Sequence, residues 1–182
     1  MFEGTLVKLV PIGLRHLDDV YEAWNDPEMK QFLRGAIPDA YESEEKWIRR
    51  AIDEMAARGS FIFAIESLED GRFLGTVGIH GIDWVARSAT LGIAIHKRDN
   101  WNRGYGRDAL RTIIGFAWKD LNLRRLELGV HAFNKRAIHV YESLGFKRYG
   151  TAHQVVFIRG KYADSHFMEL FRDDWEARDD AD

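Results

Sequence analysis

The chain has 182 residues, 46% apolar and 30% charged, with a formal net charge of -3 and no cysteine. That length suits one domain with its own core. The missing thiols exclude a disulfide framework and a thiolate nucleophile or metal ligand, and a slightly acidic chain without a basic stripe has no general pull toward nucleic acid.

No apolar run is long enough to span a membrane and the N-terminus lacks a signal-peptide pattern, so the expected setting is cytoplasmic, with no membrane partner. Alternation over residues 5–12 predicts a first strand. Residues 15–24 place Leu17, Val20, Tyr21 and Trp24 on one helical face, stopped by Asn25-Asp26-Pro27. Residues 31–41, with Gly35 and Pro38, read as a loop. A second helix begins at 43–46, with Ser43 as N-cap and Lys46 where a capping box would have Glu. Trp47, Ile48, Ala51, Ile52 and Met55 form its apolar face, and Gly59 ends it.

Strands over 61–66, 73–80 and 88–96 form a meander, the first two joined at the hairpin signal Asp70-Gly71. A helix follows to about residue 121, with Ala109, Leu110, Ile113, Ile114, Ala117 and Trp118 at helical spacing. Residues 124–132 make a strand with Leu126, Leu128 and Val130 on one face. Asn134 caps a short helix whose face is Ala137, Val140, Tyr141 and Leu144; Gly145 ends it and Phe146 starts a strand. Residues 155–158, the Arg159-Gly160 turn and residues 164–170 make a closing hairpin. The Asp-rich residues 173–182 read as a solvated tail, which leaves 1–172 as the domain. Early helices, a meander and two late strand–helix units make this an α/β (α+β) domain with a mixed sheet.

The stretch Trp101-Asn102-Arg103-Gly104-Tyr105-Gly106-Arg107 lies between a buried strand and the long helix. The first amides of a helix lack intrahelical partners and carry the positive end of its dipole, so such a stretch is built to hold an anion. Gly104 and Gly106 would let a phosphate approach, and Arg103 and Arg107 add charge. Gly104-x-Gly106-x-x-Ala109, with Glu127 further on, formally matches a dinucleotide fingerprint. The charged spacer 97–103 and the shortage of following strand–helix units argue against it, and no P-loop pattern is present.

Taken together, Trp-x-Arg-Gly-Tyr-Gly, then Leu-Arg-Arg-Leu-Glu-Leu-x-Val, then Asn134-Lys135-Arg136-Ala137-Ile138 through Tyr141-Glu142-Ser143-Leu144-Gly145-Phe146, resemble the GNAT acetyltransferases. The likeness is greatest to RimJ/RimL-type and spermidine-type members, and Gly160-Lys161-Tyr162-x-Asp164 with Met168 also resembles that branch. The resemblance implies a single domain whose mixed, mostly antiparallel sheet of six or seven strands is flanked by about four helices, with a V-shaped split between two central strands.

By the same resemblance, the cosubstrate is acetyl-CoA, with no metal. Trp101, Asn102, Arg103, Gly104, Tyr105, Gly106 and Arg107 would bind its pyrophosphate, and Ala94, Ile95 and His96 its pantetheine arm. Asn134, Ala137 and Tyr141 would lie near it too. The family pattern Gln/Arg-x-x-Gly-x-Gly/Ala has Trp101 in its first place here.

Amine attack on a thioester needs a neutral amine, alignment, an oxyanion donor and a proton for the thiolate. Tyr141 matches the family's tyrosine beside the sulfur and is the expected general acid. The base is open, because Thr90 stands where many relatives carry a glutamate; His80, Asp83, His96, His131 or a water chain could serve. Trp24, Phe32, Trp47, Trp84 and Tyr162 could line the acceptor groove, and Glu22, Asp26, Glu28, Glu44 and Glu45 could attract a cationic amine. The expected activity is acetyl transfer to a primary amine (a protein N-terminus, a polyamine or another small amine) in a ternary complex. A non-catalytic acetyl-CoA sensor and a dinucleotide oxidoreductase are the alternatives, and a homodimer is compatible with the sequence.

Overall fold

Strand and helix periodicity sort the apolar residues into two layers against one sheet. The computed structural model describes residues 2–33 and 37–179. Gly35 of the expected loop and residues 180–182 of the expected tail lie outside them. In chain order the elements are β1 (Phe2–Glu3), β2 (Val7–Pro11), α1 (Leu17–Trp24), α2 (Pro27–Lys30), α3 (Tyr41–Ala56), β3 (Phe61–Ser67), β4 (Phe73–Asp83), β5 (Ser88–Ile95), α4 (Tyr105–Lys119), β6 (Arg125–His131), α5 (Lys135–Ser143), β7 (Lys147–Ile158), β8 (Lys161–Phe171) and α6 (Arg172–Asp179).

The sheet order is β1-β2-β3-β4-β5-β6-β8-β7. Every neighbouring pair is antiparallel except β5 and β6, which α4 connects as a parallel crossover. The mixed, mostly antiparallel sheet is as expected. It has eight strands among the described residues: β1 is added at an edge, and the residues after Phe146 run into 155–158 as one irregular strand.

One face of the sheet, with Val77, Ile79 and Leu91, packs on Leu110, Ile113 and Ile114 of α4, and Tyr141 and Leu144 of α5 join that core. The opposite face, with Val10, Ile62 and Ala64, packs on Leu17 and Val20 of α1 and Ile48 and Ala51 of α3. Fully burying each Leu or Ile side chain contributes about 1.5–3 kcal/mol, so α4, apolar on most of its circumference, is the helix the fold depends on most.

Two expectations are corrected. Helix α3 starts at Tyr41 with Ala40 as N-cap and no side-chain cap, rather than at Ser43. Tyr41 adds the extra turn by donating its hydroxyl to Asp18 Oδ1 at 2.6 Å and setting its ring edge-on to Tyr21. The Asp-rich segment is helical over Arg172–Asp179 rather than a solvated tail. Trp175 packs against the main core, and Lys147 pairs with Asp174 at 2.8 Å.

Candidate active site

The cleft begins where two parallel strands part. Strands β5 and β6 pair only at Ser88↔Arg125, Ala89↔Leu126 and Thr90↔Glu127. Beyond those positions β5 keeps β4 on one side and, among the described residues, has no strand on the other. His96 N–H donates to Leu74 O at 2.8 Å, so by antiparallel alternation the even-numbered residues of β5 face β4. The odd-numbered residues Leu91, Ile93 and Ile95 therefore turn their backbone groups to the open edge. Trp101 Nε1–H takes the Ile95 carbonyl at 2.8 Å.

Helix α4 points its first amides into the same cleft. Its first intrahelical bond runs from Asp108 N–H to Gly104 O at 3.0 Å, which leaves the amides of Tyr105, Gly106 and Arg107 without a carbonyl partner in the helix. Gly104, the N-cap, has φ 85°, a conformation side chains with a Cβ resist. The missing Cβ of Gly106 would stand 3.3 Å from Ile95 Cγ1. That glycine therefore seats α4 against β5, and it also lines the cleft.

A cavity of about 1230 Å³ runs from this loop to α3. Ala94, Ile95, Trp101, Asn102, Gly104, Tyr105, Gly106, Arg107, Asn134, Ala137 and Tyr141 all line it. Arg103 and His96 do not. Arg103 is exposed on the loop. His96 is 2% exposed under Phe73 and Trp24, with neither ring nitrogen hydrogen-bonded. Its carbonyl accepts from Asn100 Nδ2 at 2.7 Å and its N–H goes to Leu74, so neither backbone group is open to an extended ligand. Ala94 likewise turns its carbonyl toward Gly75 of β4 and offers the cleft only its side chain.

Asn134 caps α5, its Oδ1 accepting from Ala137 N–H at 3.2 Å. Tyr141, one helical turn beyond Ala137, is buried edge-on to Phe146, and among the described residues its hydroxyl has no hydrogen-bond partner. Burial pushes its pKa up to about 12, so the phenol stays protonated.

The base candidates separate. Asp83 accepts from Val85 N–H and Ala86 N–H and caps the β4–β5 turn. His131 lines the cleft, but Ser165 Oγ at 3.2 Å and the Leu33 carbonyl at 3.0 Å occupy its two nitrogens. His80 lines the cleft over Gly78 and Gly92: its Nε2 is 3.0 Å and 3.5 Å from where their Cβ atoms would be.

The acceptor candidates divide in the same way. Trp24, Phe32 and Trp47 line the cavity, whereas Trp84 (47% exposed) and Tyr162 (68%) do not. Glu22 pairs with Lys97, Glu28 with Arg98 and Glu45 with Arg49, while Asp26 caps α2. Glu44 is the member of that acidic set that lines the cavity.

Two residues escaped sequence reasoning. Asp108 accepts from Thr5 N–H and Oγ1, Leu6 N–H and Val7 N–H at 2.7–3.0 Å, fixing the chain before β2 to the start of α4. Arg136 stacks its guanidinium 3.8 Å from the Trp101 ring centre and lines the cavity. Its place beside Asn134 was the one available signal. Among the described residues no group of three or more His, Cys, Asp or Glu is arranged to hold a metal ion.

A family model for the acetyltransferase (GNAT) domain matches residues 7–147. The chain belongs to the GNAT acetyltransferase family. The probable N-acetyltransferase YjcK of Bacillus subtilis is 26% identical over 97% of this chain and 99% of its own length. The spermidine N(1)-acetyltransferase of Vibrio cholerae is 26% identical over 74% and 75%. A crystal structure of spermidine N-acetyltransferase from Vibrio cholerae in complex with CoA and spermine superposes with a TM-score of 0.84 at 20% identity, covering 93% of this chain and 98% of that one.

As a GNAT protein the chain is an acetyl-CoA-dependent N-acetyltransferase. Its own geometry fits that cosubstrate: the open β5 edge can pair with amides of a pantetheine arm, and unpaired helix amides stand at one end of the cleft. Among the described residues no helix is long and apolar enough to cross a membrane.

Proposed function

We propose that this GNAT protein transfers the acetyl group directly to a primary amine in a ternary complex, with Tyr141 giving a proton to the departing thiolate. The amine nitrogen attacks the thioester carbonyl carbon, the C–S bond breaks, and the phenol proton goes to sulfur. The phenol is restored from solvent with the proton the amine releases. The amides of Tyr105, Gly106 and Arg107 hold the pyrophosphate, helped by the Arg107 and Arg136 charges, and the Ile93 and Ile95 edge aligns the pantetheine. His80, acting through water, deprotonates the amine.

The observation that carries this reading is the Tyr141 hydroxyl: protonated, without a partner among the described residues, and in the same cleft as the open strand edge and the helix start. Thr90, paired with His80 in the sheet and standing where the family resemblance leads one to expect a glutamate, is the feature that favours a non-catalytic acetyl-CoA sensor instead. Thiol detection of CoA release with a panel of polyamines, aminoglycoside antibiotics and peptides separates the two. Release with at least one amine is expected; cofactor binding without release across the panel overturns the transferase assignment. The same reading includes a cytoplasmic setting and a homodimer, the latter supported by the exposed Val155, Phe157 and Tyr162 of the β7–β8 hairpin.

A further inference from the structure

Glu44 lies in the first turn of α3, is 8% exposed, and lines the cavity. Among the described residues its carboxylate forms no hydrogen bond and no ion pair. Its charged neighbours are Lys30 and Asp39. Lys30 is 6% exposed, and its ammonium is held by Asp39 Oδ2 at 3.0 Å and by the Ile37 carbonyl. Lys30 and Asp39 therefore neutralise each other and, among the described residues, leave the Glu44 charge unmatched. An unmatched buried carboxylate is costly unless a proton or a ligand's cation completes it. Burial, reinforced by Asp39 and opposed by Lys30, raises its pKa.

Among the described residues, the cation of α3 that lines the cavity is already paired. Arg50 pairs with Glu54 at 2.7 Å, and Glu54 also accepts from Ser60. Trp24 and Trp47 line the same hollow edge to face, 6.2 Å between ring centres, and offer apolar and π surface to an alkylammonium chain. Gly78 and Gly92 line the same cavity, and the His80 imidazole lies over them. Among the described residues the hollow thus has two indole rings on its sides and one unsatisfied negative charge in its wall.

We propose that Glu44 receives a second, non-reacting ammonium group of the acceptor, so that this enzyme prefers dicationic amines to monoamines. The assignment rests on the amine-transfer reading above. The attacking nitrogen must be neutral, and a carboxylate in contact with it would hold it as an ammonium ion. The charge of Glu44 therefore belongs with a different nitrogen of the same acceptor.

The test compares 1,4-diaminobutane with n-butylamine on the wild-type chain and on Glu44→Gln, by CoA release and by calorimetric binding of each amine in the presence of CoA. The wild type should favour the diamine by about 10-fold or more in kcat/KM, the factor expected of a well-desolvated charge contact. Glu44→Gln should raise the diamine KM by a similar factor of about 10 while kcat, the butylamine constants and the acetyl-CoA KM stay unchanged. Glu44→Asp, which keeps the charge one methylene further back, should fall between. The Tm of Glu44→Gln should equal or exceed that of the wild type, since a buried unmatched charge is removed.

An unchanged diamine KM in Glu44→Gln overturns the proposal. So does an equal fall in kcat for both amines, which would put Glu44 at the reacting nitrogen. If the wild type releases no CoA with any amine, the transferase reading fails. The calorimetric arm still decides this site: Glu44-dependent diamine binding upholds it, and equal binding by both chains removes it.

Discussion

The Tyr141 phenol and the His96 imidazole are both buried, and burial favours the neutral form of each. For Tyr141 that keeps a transferable proton in place at every physiological pH, the folded pKa lying near about 12. Tyr141→Phe should keep the fold and the acetyl-CoA KM and lower kcat by roughly 10–1000-fold; near-normal turnover with chemistry rate-limiting would remove the residue from the mechanism. For His96, burial first and Lys97 second push the pKa down to about 3. Between pH 6.5 and about 3 the unfolded chain binds a proton that the native chain does not, so this residue's stability contribution is full above 6.5 and is lost as pH falls. His96→Phe keeps the ring against Phe73 and Trp24 while removing that proton site. Urea denaturation at pH 7, 6, 5 and 4 should show a shallower loss of stability in the variant; parallel curves would assign the acid sensitivity elsewhere.

Helix α4 is where element-level structure and site coincide, and its anchor is Asp108. Burial would raise the pKa of this carboxylate, but its hydrogen bonds from Thr5, Leu6 and Val7 outweigh burial and hold it below the usual range. Its contribution is therefore present above the ordinary carboxylate pKa and lost in acid. Asp108→Asn would turn an NH2 group toward backbone donors. A stability loss of about 2–4 kcal/mol in urea denaturation is expected, with a raised acetyl-CoA KM because the helix start shifts. A loss under about 0.5 kcal/mol would show the anchor to be dispensable.

This helix also marks the boundary of what the sequence discloses. Its periodicity, the Gly104 start, the Asn134 cap and the Gly145 stop are local signals, and each was legible. The Asp108 anchor was not, because Thr5 is 103 positions away and no local pattern links them. The same holds for Glu44: five acids were equivalent in sequence, and only burial and the Lys30–Asp39 pairing single it out. The last helix was missed because eight residues rich in Asp look solvated until Trp175 finds the core.

At the scale of the whole molecule, the cleft exists because β5 and β6 stay together for three paired positions and then part. The meander with α1 and α3 forms one wall, β6 and α5 the other, and the start of α4 closes the end. A ligand pairing with the β5 edge while its phosphates sit on α4 touches one wall of the cleft and its closed end, and it can do so only in the folded chain. Ligand linkage then requires acetyl-CoA to stabilise the protein by about 2.7 kcal/mol at a hundred times its Kd. For a chain of this length that is a rise in Tm of about 5–10 °C. The dinucleotide fingerprint at Gly104 predicts the same response to NAD. The strand-edge geometry does not, since NAD has no peptide-like arm to lie along β5. Differential scanning fluorimetry with each ligand should show the rise for acetyl-CoA alone, and Tyr141→Phe should retain it if, as proposed, the phenol acts on the leaving group rather than on binding. An equal rise with NAD would return the glycine loop to the dinucleotide reading and detach it from the open strand edge.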